Sequence, residues 1–136
     1  MNATIGLEKL LRSCEPQLHG SDCVFCTLSA EQLPLLAGQC LLLVSERDGY
    51  SAILPRELAE REGIPVDAPL CQITLRQRGG PVLPGLLAAL AGELDGARIS
   101  ARITSTPRGH HLFVPQAQAQ DTLMLLRGIG NRAHYC

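Results

Sequence analysis

Gly79-Gly80-Pro81-Val82-Leu83-Pro84-Gly85-Leu86-Leu87-Ala88-Ala89-Leu90 joins a strand pattern to an apolar helical one through a glycine turn. Before it, Leu70-Cys71-Gln72-Ile73-Thr74-Leu75 has the alternation that suits a strand. After its glycines, Leu83, Leu86, Leu87, Leu90 and Leu94 recur at helical spacing and make one apolar stripe, which Asp95-Gly96 ends. A glycine turn that delivers an apolar helix from a strand end leaves the first backbone N–H groups of that helix without partners. Such groups hold small anionic or zwitterionic ligands. The hinge thus predicts a strand, turn and helix together with a candidate ligand loop.

Working outward towards the C-terminus, Ala97, Ile99, Ala101 and Ile103 alternate with Arg98, Ser100, Arg102 and Thr104, predicting a half-buried strand over residues 97–104 with one wet face. Ser105-Thr106-Pro107-Arg108-Gly109 turns the chain, and residues 110–114 return antiparallel. Pro115 opens a last helix with Leu123, Leu126 and Ile129 as its buried stripe. Towards the N-terminus, the turn-rich stretch Gly63-Ile64-Pro65-Val66-Asp67-Ala68-Pro69 marks a boundary. Ahead of it come a short amphipathic helix on Leu7, Leu10 and Leu11, broken by Pro16 and Gly20, and a strand over residues 23–28. A hairpin follows, with strands over 39–45 and 50–54 joined by Glu46-Arg47-Asp48-Gly49, and then a helix opened by Pro55 and closed by Gly63. The expected division is residues 1–67, residues 68–130 and a polar tail over 131–136.

Composition narrows the function classes. The chain has 136 residues, 46% of them apolar, no Trp and only 3% aromatic, so its core must be aliphatic. Twelve basic and 13 acidic residues nearly cancel and neither sign is blocked together, which excludes the usual footprint for nucleic acid or an anionic membrane surface. Glu8 and Lys9 interrupt the apolar positions of the N-terminus, and no run approaches the ~18 apolar residues of a membrane span. A cytoplasmic protein with no membrane partner is the expectation.

Six cysteines include the pair Cys23-Val24-Phe25-Cys26. A thioredoxin-like pair needs a helix N-terminus to lower the thiol pKa, whereas this one lies in a β-prone run where positions three apart point to opposite faces. Buried structural cysteines are expected. His110 and His111 are adjacent on a strand and must also point opposite ways, so they do not share a metal, though one of them can reach a ligand or interface. No nucleophile elbow, paired carboxylates or Cys/His/Asp arrangement is present, so no catalytic residue, metal or cofactor is assigned. The candidate ligand residues are Arg78, which adds charge; Gly79, Gly80, Leu83, Pro84 and Gly85, which offer backbone N–H groups or close approach; the hydroxyls of Thr104, Ser105 and Thr106; and His110.

Strands paired through hairpins, with every helix on one sheet face, form the α+β, ferredoxin-like plan. Pro84-Gly85-Leu86-Leu87-Ala88-Ala89-Leu90 is similar to the Pro-Gly-Leu-Leu-Ala pattern that opens the first helix of an ACT domain, and residues 70–129 resemble that family as a whole. With Phe25-Cys26-Thr27-Leu28, Ile53-Leu54-Pro55, Ile73-Thr74-Leu75 and His110-His111-Leu112-Phe113-Val114-Pro115 in order, the chain resembles the short bacterial ACT-domain proteins of unassigned role. The resemblance implies an antiparallel sheet with helices on one face and two ACT-like units sharing strands, the first degenerate. It implies a regulatory module without catalytic activity that binds a small molecule such as an amino acid, forms a homodimer and acts through assembly or a protein partner. The alternative is an interaction module that dimerises through sheets or helices with no ligand. The basic, double-glycine loop Arg76-Gln77-Arg78-Gly79-Gly80-Pro81 departs from the family's hydroxyl-rich loop. The polar C-terminus offers no closing strand, so that strand is expected from the first half.

Overall fold

The structure is a computed structural model that describes residues 3–77 and 84–132. In chain order the elements are α1 (Ala3–Ser13), β1 (Gln17–Leu18), β2 (Cys23–Leu28), α2 (Leu33–Leu36), β3 (Leu42–Glu46), β4 (Gly49–Pro55), α3 (Arg56–Arg61), β5 (Leu70–Arg76), α4 (Leu86–Gly96), β6 (Arg102–Thr106), β7 (Gly109–Pro115) and α5 (Ala119–Arg132). They divide into one unit of residues Gly20–Cys71 and another of Met1–His19 with Gln72–Cys136. The linear division of the sequence reading placed residues 1–19 with the strands that follow them. By contacts they count with the second half of the chain.

In the unit Gly20–Cys71 the strand order is β3, β4, β2, closed by the first residues of β5, where Cys23 pairs with Leu70. All of these pairings are antiparallel. Alternation along β2 sends Val24, Cys26 and Leu28 into a core with Ala52, Leu54, Leu58, Ala59 and Ile64. The hairpin is as tight as its Asp-Gly pair suggested. Glu46 pairs with Gly49, which sits at φ +146°. Pro55 stands before α3, and Gly63 takes φ +67° after it.

In the other unit β7 lies between β5 and β6, and β1 runs antiparallel to β5 on its far side. This is the ferredoxin-like arrangement, with the closing position filled by the two-residue β1 rather than by the C-terminus. β1 was not foreseen, because two residues between Pro16 and Gly20 carry no periodicity. Ile73 and Leu75 of β5 and Leu112 and Val114 of β7 are fully buried, as are Leu7 of α1, Leu90 of α4 and Leu126 and Ile129 of α5. Apart from Phe113, which is also fully buried, the core is aliphatic, as composition predicts.

One element differs from its expectation. The strand over residues 97–104 begins only at Arg102. The N–H groups of Ala97, Arg98 and Ile99 turn back to Glu93, Leu94 and Asp95 carbonyls, and Arg98 adopts φ +60°. Closing the helix C-terminus occupies the donors that a strand would have used. The alternation of Ala97 and Ile99 with Arg98 and Ser100 therefore reflects a helix cap that buries Ile99, not a pleat.

Two glycines mark close backbone approach. A Cβ on Gly109 (φ +145°) would collide with the Leu75 carbonyl oxygen, so the start of β7 and the end of β5 meet there without a side chain between them. A Cβ on Gly130 would lie 2.8 Å from the Leu11 carbonyl oxygen, whereas one on Gly128 in the same helix would meet nothing within 4 Å. Helix propensity alone favours alanine over glycine at both positions by up to about 1 kcal/mol. At Gly130 the obstacle is the backbone of α1, which cannot rotate away as a side chain can. Gly128→Ala should stabilise the protein slightly, and Gly130→Ala should destabilise it by about 1–3 kcal/mol, the usual cost of overpacking. Urea unfolding of the two variants checks this, and equal midpoints would refute the close approach of α1 and α5.

Candidate functional site

α4 opens at the exposed dipeptide Pro84-Gly85. Gly85 occupies the N-cap at φ +82°, a left-handed conformation that glycine adopts without cost. A glycine N-cap has no side chain to accept from the first turn, and none of the cap's hydrogen bonds comes from a side chain. The Gly85 carbonyl accepts from the Ala89 N–H, while the N–H groups of a helix's first turn have no acceptor within the helix itself. Of the candidate loop, Arg78, Gly79, Gly80 and Leu83 lie outside the described residues.

The residue just before the loop is held from two directions. The Gln77 N–H donates to the Arg108 carbonyl at 3.1 Å. Its side-chain Oε1 accepts from His110 Nε2 at 2.8 Å, and His110 Nδ1 accepts from the Ser105 hydroxyl at 2.7 Å. Ser105 and His110 are cross-strand partners in the β6–β7 hairpin. Among the predicted ligand residues, Ser105 and His110 are thus brought together and tied to the base of the glycine turn. His110 is 1% exposed and spends both ring nitrogens on this chain, so it positions Gln77 rather than presenting itself.

The adjacent histidine faces the opposite way, as the alternation required. His111 pairs with Thr104 across the hairpin and projects to the side of Gln72 and Thr74 on β5. Thr74 Oγ1 lies 2.8 Å from His19 Nε2 and 3.1 Å from His111 Nδ1, and the Gln72 amide nitrogen donates to His111 Nδ1 at 3.2 Å. With Nδ1 accepting, the neutral ring carries its proton on Nε2, which has no hydrogen-bond partner among the described residues. These side chains floor a cleft of ≈ 660 Å³ rimmed by Arg76, Thr106 and Arg108. Thr104 and Thr106 therefore belong to the His111 side of the hairpin and Ser105 to the His110 side, so the three hydroxyls do not converge. Reading of the sequence missed His19, Gln72, Thr74, Arg76 and Arg108. The signal that could have found the β5 residues is the polar parity Gln72, Thr74, Arg76 within an otherwise apolar strand.

Cys23, Cys26 and Cys71 are buried free thiols, whereas Cys14 and Cys40 are half-buried. Cys26 is in the core of its unit and makes its contact with the Ala52 carbonyl, while Cys23 contacts the Leu70 carbonyl at 3.5 Å, so the two do not share a site. Burial, with Cys71 and Asp22 adding to it, pushes the Cys23 thiol up to about 12. No group of three or more His, Cys, Asp or Glu side chains suited to a metal occurs among the described residues. No helix among them is long and apolar enough to cross a membrane.

Two ferredoxin-like units in a chain this short define a tandem α+β protein of the small ferredoxin-like class. The chain belongs to the ACT domain family, whose model matches residues 4–71. That match falls on the half that the sequence reading treated as degenerate. A solved protein of unknown function from Vibrio cholerae, described as a possible transport protein, is 31% identical, with 95% of this chain and 99% of that chain covered and a TM-score of 0.79. A protein from Agrobacterium tumefaciens is 20% identical over 86% of this chain and 89% of its own, with a TM-score of 0.70. The regulatory subunit of aspartate kinase from Thermus thermophilus shares the fold at 9% identity, with 84% and 95% of the two chains covered and a TM-score of 0.63. No curated protein matches the sequence.

Burial lowers the pKa of both His110 and His111 below the ordinary 6.5; the neighbouring His111 adds to the effect on His110, and His19 to that on His111. The folded protein therefore binds these protons less readily than the unfolded chain. Stability supplied by the neutral rings is present above about pH 6.5 and is lost as the pH falls through the lower folded values. The urea midpoint should drop between pH 7.5 and pH 5, and His110→Gln with His111→Gln should flatten that drop. A wild-type midpoint that rises on acidification would contradict the burial of these rings.

Proposed function

We propose that the chain is a regulatory module that binds a small molecule, has no catalytic activity of its own and works as a homodimer. Membership in the ACT domain family supports the regulatory reading. The observation that carries the ligand reading is the glycine-capped start of α4, which has no side-chain cap; first-turn N–H groups of a helix suit the carboxylate of an amino acid. Arg78, Gly79, Gly80, Leu83, Pro84 and Gly85 form the proposed ligand loop, with Ser105 and His110 holding its base through Gln77. The structural likeness to a regulatory subunit of aspartate kinase is consistent with an amino-acid effector. Such a module signals by changing its own assembly or its contact with a second protein.

A second reading has its own support. Leu35 is 73% exposed, and Leu41, Leu43 and Val44 are exposed on and beside β3, which pairs only with β4 among the described residues. An apolar edge strand of this kind suits dimerisation through the sheet of the Gly20–Cys71 unit, with no ligand involved.

A thermal-shift screen against the common amino acids separates the two. At 100 times its Kd a ligand adds about 2.7 kcal/mol to the folded state, a shift of several degrees for a domain of this size. Gly85→Ala, strained at φ +82°, should abolish the shift for the ligand that produces it. A flat response across the panel, with a dimer that Val44→Glu dissolves in sedimentation, would favour the interaction module.

A further inference from the structure

The cleft beneath His111 has a composition that the amino-acid reading does not use. Arg76 and Arg108 both line it, and neither guanidinium has an ion-pair partner among the described residues. Two other arginines of this unit are paired, Arg127 with Glu15 at 2.9 Å and Arg132 with Glu93 at 2.7 Å. The floor between the two free cations is built of His19, Gln72, Thr74 and His111, already held in place by their mutual hydrogen bonds. No Asp or Glu among the described residues lines the cleft. Glu15 lines an adjoining groove with Gln17 and Arg76 and is engaged by Arg127.

We infer that this cleft is a second ligand site, for a small molecule bearing two or more negative charges as carboxylate or phosphate groups and no cationic group. Two unpaired guanidiniums supply bidentate donors of the geometry that carboxylate and phosphate accept. His111 Nε2–H supplies a third donor whose orientation is fixed from behind by Gln72 and Thr74. A zwitterionic amino acid is disfavoured, because its ammonium would enter a cleft with two guanidiniums and no carboxylate to receive it. The volume of ≈ 660 Å³ admits a molecule the size of a di- or tricarboxylate or a phosphorylated sugar. Gln77 lines the cleft and also holds the base of the glycine turn, but the donors inferred here, Arg76, Arg108 and His111, are not those proposed for the turn, so the two readings are tested separately.

Burial, with His19 adding to it, keeps the His111 ring neutral, so the ring meets an anion as an Nε2–H donor.

The test is calorimetric titration of the full chain with succinate, inorganic phosphate and glutamate in low salt. Succinate or phosphate should bind at pH 7.5, where both carry close to two negative charges. Arg76→Gln with Arg108→Gln should weaken binding at least tenfold, while Glu31→Gln, an exposed change in the other unit, leaves it unchanged. Both arginines are exposed, and an unaltered circular dichroism spectrum shows that the double variant is folded. His111→Gln should leave a weaker site, because the Nε2–H donor is lost. The inference is overturned if neither anion binds, if the double arginine variant binds as tightly as the wild type, or if glutamate binds with the same dependence on Arg76 and Arg108. Amino-acid binding that is lost in Gly85→Ala, together with absent anion binding, would retain the glycine-turn reading and remove only this one. The converse pattern would do the reverse.

Discussion

Everything in the larger unit is arranged around β5, a strand held between neighbours on both edges, with β1 on one side and β7 on the other. A strand paired on both sides cannot turn its side chains to suit each residue, because the pleat alternates them rigidly. Cys71, Ile73 and Leu75 therefore share one face, and Gln72, Thr74 and Arg76 the other. The first parity forces helices onto that side, since Ile73 and Leu75 must be covered. The second leaves polar groups, which must find partners within reach, and they find them in His19 and His111. A slip of one residue in this strand would reverse both surfaces.

An aliphatic core without Trp also dictates how closely the elements must approach. Leu, Ile and Val fill less space than aromatic rings, so contact is recovered by bringing backbones together where glycine allows it. Gly109 does this between β7 and β5, and Gly130 between α5 and α1. Dispersion contacts are individually small and fall off steeply with distance, so these approaches matter more here than in an aromatic core. The same compactness lets Arg108, at the tip of the β6–β7 hairpin, accept a hydrogen bond from Gln77 and hold the entrance to the glycine turn.

Much of this was legible in the sequence, because the elements with strong periodicity or clear punctuation declared themselves. The α4 stripe of Leu86, Leu90 and Leu94, the Asp48-Gly49 hairpin and the opposite directions of His110 and His111 all follow from local rules. What local rules could not give were contacts between distant segments. β1 is a strand only because β5 offers it two residues of ladder, and residues 97–101 are not a strand because the end of α4 claims their N–H groups. The cleft was hidden for a related reason. Its residues come from positions 19, 72–77 and 106–111, and their shared face exists only once β1, β5 and β7 are side by side.

The polar floor of the cleft is costly as a purely structural device. Gln72 and Thr74 are each only 8% exposed, and burying such groups is favourable only where their hydrogen bonds are made. No buried side-chain nitrogen or oxygen among the described residues lacks a partner, so the floor is satisfied, yet an apolar trio at 72, 74 and 111 would satisfy the same space without the need for matching. A satisfied polar network contributes direction rather than net stability: it fixes which ring nitrogen of His111 carries the proton and where that N–H points. Direction has value only towards something. The exposed arginines on the rim, held without carboxylate partners while others in the same unit are paired, give that direction a sign, and the sign is that of an anion.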